Sequence, residues 1–369
     1  MKIDFLLSAN FYGGPTRVVS EVSSELARRG HDVAVVVPLV PHWTYYNLVT
    51  LRKTRPIFRP AARFLYALKG LVKEVLRHRW SWVGGAQAPV KVRRCLTTAR
   101  PARPDADWVV LSNNWYQVYD WKSFNGWSER IVQMVYHYEV HEEAEIKLLV
   151  DSAFSRPFKR MTLCRTTARD LAQRGITAEG VLFLGIDPMI FHPSGGARRE
   201  KSVVLYWGLE PRKGAAVGLK AMEMVRARFP QAPIRILCPD ERAFLPSGFD
   251  RAAAVSDLEM ADLFRSNAIF VYPSLKEGFG LPPLEAMACG SAVVATRVGA
   301  VEEFSTHRKD AYLVPPGDAE ALAAGVVELL ENDGLRRSLG ENAAARALDF
   351  TWSRCVDGLE AFLKRPDGR

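Results

Sequence analysis

Cysteine is scarce in this 369-residue chain and poorly placed for cross-links. Cys95, Cys164, Cys238, Cys289 and Cys355 are odd in number, widely spaced and never form a Cys-x-x-Cys pair. That pattern argues against a disulfide framework and against zinc, so a reducing cytoplasm is the expected compartment. Long apolar runs are also missing, and none reaches the roughly 18 residues that a membrane-spanning helix needs. No basic stretch, apolar core and cleavage site opens the chain, because Met1–Leu7 reads directly as a strand. The turn Gly13-Gly14-Pro15 lacks the rest of a Gly-x-Gly-x-x-Gly run, so by itself it does not indicate a dinucleotide site. Acids nearly vanish between residues 51 and 100, where thirteen Lys or Arg face the single acid Glu74, a local charge of +12 against +9 for the whole chain.

Length and patterning set the architecture. With 48% hydrophobic residues the chain is large enough for two domains with their own cores. Short β-branched and apolar runs alternate with helical periods: Met1–Leu7, Val33–Val37, Trp108–Leu111, Ile131–Tyr136 and Val181–Leu184, then Val203–Tyr206, Ile234–Leu237, Ile269–Tyr272 and Ala292–Ala295. The helix after the first strand runs from Thr16 to Arg29 and stops at Gly30. The small, polar and charged stretch at 193–201 reads as a linker. The expected fold is therefore α/β, with two facing doubly wound, Rossmann-like domains and a cleft between them. The domains are expected at 1–192 and 202–350, followed by a C-terminal segment at 351–369 that reads as an amphipathic helix from Thr351 to about Leu363.

The most telling stretch is Glu277-Gly278-Phe279-Gly280-Leu281-Pro282-Pro283-Leu284-Glu285. It follows the buried run Ala268–Pro273, which places Glu277 just past a strand's carboxyl end. Gly278 and Gly280 permit close backbone approach to a ligand, and the two prolines suit a first helical turn whose N–H groups face an anion. A helix is expected from Leu284 to Gly290 with Glu285 in its first turn, then a strand from Ser291 to Thr296. Taken singly, these features are also those of an ordinary turn and a carboxylate on a helix dipole. Together they resemble the signature of the retaining glycosyltransferases of family 4, the GT-B enzymes of bacterial surface-polysaccharide type, in which two glutamates with seven residues between them flank a Gly-Phe-Gly loop. The match continues through Ala286–Gly290, Val293–Thr296, Gly299, Glu303 and Leu313–Asp318, and Leu184-Gly185-Ile186-Asp187 with Phe191 and Pro193 resembles the segment closing the family's first domain.

The resemblance implies transfer of a sugar from a nucleoside-diphosphate sugar with retention at the anomeric carbon. Glu277 would orient the sugar and favour the cationic ring, Glu285 would hold the ribose, and the Gly13-Gly14 turn would face the donor phosphates. Arg212 and Lys213, expected at the entrance of a helix running to about Phe229, would hold the diphosphate. Trp207-Gly208 stands where the family usually carries a Gly-Arg pair, and Arg212 is the candidate substitute for the missing arginine. In the first domain, His137 or Glu139 is the candidate contact to sugar or acceptor, with a structural histidine as the alternative. His137, Glu139 and His141 alternate as metal ligands could, but no fourth ligand is identifiable. Asp105-Ala106-Asp107 superficially matches the Asp-x-Asp of metal-dependent transferases, but it precedes its strand instead of following it. No essential metal and no cofactor is expected.

The cations of 51–100 are interleaved with Phe58, Phe64, Tyr66, Trp80 and Trp82, which suits an anionic bilayer and a lipid-linked saccharide acceptor at the inner face of the cytoplasmic membrane. A solvated basic face is the plainer reading of the same residues. Nucleic acid is disfavoured, since no recognition motif accompanies the charge. Two other functions are alternatives. A sugar-nucleotide epimerase would convert donor without acceptor, and a non-catalytic binding subunit would make no product alone.

Overall fold

The structure, a computed structural model, describes residues 1–7, 14–38, 90–95, 103–112, 127–138, 144–193, 199–238, 245–252 and 256–365. The chain divides into two compact units: Met1–Leu163 with Thr167–Leu182 and Val356–Arg369, and Cys164–Thr166 with Phe183–Cys355.

The first unit is built on a parallel sheet of β1 (Lys2–Leu7), β2 (Asp32–Pro38), β3 (Lys91–Cys95), β4 (Trp108–Ser112), β5 (Ile131–Val135), β6 (Lys159–Thr162) and β7 (Gly180–Val181), in the order β3-β2-β1-β4-β5-β6-β7. Phe5 pairs with Val35 on one side and Val110 on the other. Central strands read as unbroken apolar runs because a parallel sheet is covered on both faces. Asp4 is a charged exception, fully buried in β1. Its charge is met by buried Arg103, whose Nε lies 2.5 Å from Asp4 Oδ1 and whose NH1 lies 2.9 Å from Asp32 Oδ1. Ion pairing of this kind is what makes a buried carboxylate tolerable.

The second unit repeats the winding with β8 (Arg199–Tyr206), β9 (Ile234–Leu237), β10 (Asp250–Ala252), β11 (Asn267–Tyr272), β12 (Ala292–Thr296) and β13 (Tyr312–Val314), in the order β10-β9-β8-β11-β12-β13. Its core joins Val203, Leu205, Ile269, Val271 and Val294 of the sheet to Met222 and Val225 of one helix and Leu322, Val326 and Leu329 of another.

The helix Trp352–Leu363 is shared between the units. Just before it, Thr351 bridges Ile186, and Gly185 lies so close that a Cβ there would stand 2.0 Å from the Thr351 carbonyl carbon. The rest of the helix belongs to the first unit, where Asp357 takes Arg29 NH1 at 2.7 Å and Glu360 meets His31 Nε2 at 3.1 Å.

Four strands, β3, β6, β10 and β13, were not expected from the sequence, because three of them carry charges where an apolar run would announce a strand. Arg160 in β6 is buried, with NH2 donating to the Phe154 carbonyl at 2.7 Å, so a cation fills what reads as a solvent position. The expected strand Val181–Leu184 is shorter. After Leu182 donates to the Thr162 carbonyl, the chain leaves the sheet, and Ile186 donates to the Phe350 carbonyl instead. Of the basic segment 51–100, residues 51–89 and 96–100 lie outside the described residues. Lys91, Arg93 and Arg94 are exposed on the edge strand β3, where charge discourages further strand pairing.

Candidate functional site

In the second sheet the winding reverses between the neighbouring strands β8 and β11. Crevices that take ligands form where such a reversal leaves the strands' carboxyl ends uncovered. Two loops leave these strands. The first, Trp207–Gly214, contains the 3-10 turn Pro211–Lys213, followed by Gly214 with φ +67° and only then by the helix Ala215–Arg228. Arg212 and Lys213 therefore sit in a tight turn ahead of the helix and not at its entrance, since Pro211 fixes the turn and left-handed Gly214 breaks the path into the helix. A Cβ on Gly214 would lie 2.0 Å from the Pro273 carbonyl oxygen, and one on Gly208 would lie 2.4 Å from Lys213 Cγ. The missing side chains thus let this loop press on the end of β11 and let Lys213 run over Gly208. The Leu275 N–H donates to the Arg212 carbonyl at 2.7 Å and stitches the two loops together.

Lys213 is aimed at Glu277. Its Nζ lies 2.6 Å from Glu277 Oε1, and the two side chains are 16% and 7% exposed. The same oxygen accepts from Tyr272 OH at 2.8 Å and Ser274 Oγ at 2.6 Å. Arg212 NH1 stands 3.5 Å from Oε2, while Arg212 Nε is 2.5 Å from Glu210 Oε2. Burial pushes the Glu277 carboxyl up, but Lys213, the Ser274 hydroxyl and Arg212 outweigh it and hold the group below the ordinary carboxylate range. Glu277 is thus a buried carboxylate that stays charged near neutral pH.

Gly278, Phe279 and Gly280 complete the loop. Phe279 is buried with its ring 5.5 Å from that of Phe304. Gly280, at φ +94°, caps a helix that runs from Leu281 to Ala288, and a Cβ on Gly299 would lie 2.6 Å from the Glu277 carbonyl oxygen. The helix starts three residues earlier than the sequence suggested, because proline is tolerated where a helix's N–H groups have no partner anyway. Glu285 falls in its second turn, buried at 1% exposure. Pro282 and Pro283 carry no N–H, so the backbone donors at this start are those of Leu281 and the glycine loop and not a full helical turn.

In the first unit, Gly14 is the first residue of the helix Gly14–Arg28 after β1, and His137 is half-buried just beyond β5. Gly13, Glu139 and His141 lie outside the described residues. Asp105 and Asp107 are engaged by Lys2: Asp105 pairs with its ammonium, and Asp107 Oδ2 accepts its backbone N–H at 2.7 Å. Among the described residues, no three His, Cys, Asp or Glu come together as metal ligands. Sequence reading passed over Tyr272 and Ser274 around Glu277. The available signal was a hydroxyl closing an otherwise apolar strand, since a buried phenol needs a partner.

Comparison with known proteins places this geometry in a family. The family of glycosyl transferases group 1 matches residues 201–332. The phosphatidyl-myo-inositol mannosyltransferase of Mycolicibacterium smegmatis is 33% identical over 364 residues, 92% of this chain and 87% of that one. A D-inositol 3-phosphate glycosyltransferase of Pseudarthrobacter chlorophenolicus is 32% identical over 186 residues, 46% of this chain and 41% of its own length. Among solved structures, Anabaena HepE in complex with UDP has a TM-score of 0.71 at 17% identity, covering 98% of this chain and 99% of its own. Sucrose-phosphate synthase from Thermosynechococcus elongatus has a TM-score of 0.70 at 18% identity, covering 98% of both chains. At those identities the structural likeness speaks for the fold alone, the GT-B arrangement of two Rossmann-like parallel-sheet domains. The M. smegmatis relative, matched along most of both chains, carries the assignment further: this protein belongs to the group 1 glycosyltransferases and is itself a glycosyltransferase.

Proposed function

We propose that the protein moves a sugar from a nucleoside-diphosphate donor to a lipid-linked saccharide acceptor, with retention at the anomeric carbon and without an essential metal. The observation that carries the reading is the charged, buried Glu277 beside Lys213 and Arg212 at the carboxyl ends of β8 and β11. Lys213 and Arg212 stabilise the departing diphosphate, a role that otherwise falls to a divalent cation. Glu277 faces the positive charge that develops on the ring, and Glu285 takes the ribose hydroxyls. The bond from the anomeric carbon to the phosphate oxygen breaks while the bond to the acceptor oxygen forms on the same face. The acceptor's proton passes to the leaving phosphate.

The setting proposed is surface-polysaccharide assembly at the inner face of the cytoplasmic membrane. The basic residues of 51–100, to which the exposed Lys91, Arg93 and Arg94 belong, support an anionic bilayer as partner. No helix among the described residues is long and apolar enough to cross a membrane. A second reading, an inositol phospholipid as acceptor, is favoured by the name of the M. smegmatis relative.

Thermal unfolding with GDP, UDP, dTDP and ADP, with magnesium or with EDTA, tests the donor side. At a hundred times Kd the matching nucleotide adds about 2.7 kcal/mol. Turnover of the matching sugar nucleotide is then measured with lipid-linked saccharide or phosphatidylinositol. A nucleotide shift and product formation, both unchanged by EDTA, support the proposal. Product only with metal, donor conversion without acceptor, or no product at all would each overturn it.

A further inference from the structure

We infer that Glu277 offers a single oxygen, Oε2, to the donor sugar, and that Tyr272 is a positioning residue that fixes which oxygen this is. The inference rests on the proposed role of Glu277. Oε1 already receives three donors, from Lys213 at 2.6 Å, Ser274 at 2.6 Å and Tyr272 at 2.8 Å, whereas among the described residues Oε2 faces only the Arg212 guanidinium, at 3.5 Å. A carboxylate oxygen holding three short hydrogen bonds has no lone-pair direction left for a sugar hydroxyl.

These donors differ in what else they can do. Lys213 and Arg212 are the cations available to a diphosphate, and both are partly exposed. Tyr272 and Ser274 are fully buried. The Tyr272 ring lies 5.1 Å from that of Tyr206 and 6.3 Å from that of Phe270, and the Thr296 hydroxyl holds the Ser274 carbonyl at 2.5 Å. When the cations turn toward the phosphates, these two hydroxyls keep Oε1 in place. Burial, together with the neighbouring Glu277 charge, pushes the Tyr272 phenol well above its ordinary value, so it remains a donor throughout the working range.

Tyr272→Phe in the full chain tests this, because it removes the hydroxyl and leaves the ring. Turnover is followed as nucleoside-diphosphate release from UDP-glucose, GDP-mannose, dTDP-rhamnose and ADP-glucose. The loss of one hydrogen bond to a charged group predicts kcat about tenfold lower, with the donor KM within about twofold of wild type, because what weakens is the hold of Glu277 on ring charge that develops only in the transition state. The acid limb of the kcat profile moves to higher pH, since a lost donor raises the carboxylate pKa. A purely structural role would lower Tm without moving that limb. Independently of turnover, Tyr272→Phe should lower Tm in the wild-type background and leave it unchanged or raise it in Glu277→Ala, where the phenol has already lost its acceptor. An unchanged kcat and acid limb, or the same loss of Tm in both backgrounds, overturns the inference. Full activity in Glu277→Gln would instead sink the reading of Glu277 itself. An inactive Glu277→Gln beside a wild-type-like Tyr272→Phe would remove this inference alone.

Discussion

Replacing Lys213 by Met keeps the bulk of the side chain and removes its charge. The change isolates what the ion pair contributes, because Glu277 stays buried at 7% exposure with Tyr272 and Ser274 still donating. Breaking a fully buried pair costs about 3–5 kcal/mol through the charge left behind. Here Lys213 is 16% exposed and Arg212 waits 3.5 Å from Oε2, so the estimate falls to about 2–3 kcal/mol. For a domain of this size that is a Tm lower by roughly 4–12 °C at pH 7, read by circular dichroism. The pH dependence is specific. The folded carboxyl lies below its reference of 4.5, so the stabilisation is complete above that value and is lost as pH falls through the folded one. The gap between wild type and variant should therefore narrow below about pH 4.5. Lys213→Met combined with Glu277→Gln removes both charges and should recover most of the loss at pH 7. A Tm within 1 °C of wild type, on the order of experimental scatter, or a gap that persists unchanged down to pH 3, would refute the reasoning.

Arg212→Ala should weaken binding of the matching nucleoside diphosphate about tenfold in calorimetry, the loss of one charge-assisted contact, with little change in Tm. Gly299→Ala should destabilise by about 2 kcal/mol, because φ is +55° and the new Cβ meets the Glu277 carbonyl at 2.6 Å; wild-type stability in this variant would mean that the loop yields freely. In the first unit, the hydrogen bond from Lys364, against burial and with help from His31, holds Glu360 at about 2. Its stabilisation is complete above the unfolded value near 4.5 and fades toward about 2, so Glu360→Gln should lower Tm at pH 7 and match wild type near pH 2.

Much of the fold was readable because central parallel strands are written as plain apolar runs, as in Ile131–Val135 and Asn267–Tyr272. What escaped were strands whose charges have partners visible only in three dimensions, such as Arg160 against the Phe154 carbonyl. The glycine loop and its glutamates were legible as a local pattern, and the loop's place past the end of β11 followed from the run before it. That Lys213 reaches Glu277 was not legible, since 64 residues separate them and the contact depends on the absence of side chains at Gly208 and Gly214. Glu285 was misplaced by a turn because proline was read as a helix's threshold, whereas Pro282 and Pro283 lie inside its first turn.

The division of the Trp352–Leu363 helix has a consequence for biosynthesis. Phe362 packs against Gly180, and Val356, Leu359 and Leu363 are buried, yet everything between Phe183 and Cys355 belongs to the other unit. A ribosome moving from the first residue onward must finish the whole second unit before the segment that completes the first has been made. Until then the surface around β7 has no cover, and the pairing that closes it spans more than a hundred residues, the kind of late, non-local step that slows folding. The first unit is begun early and finished late.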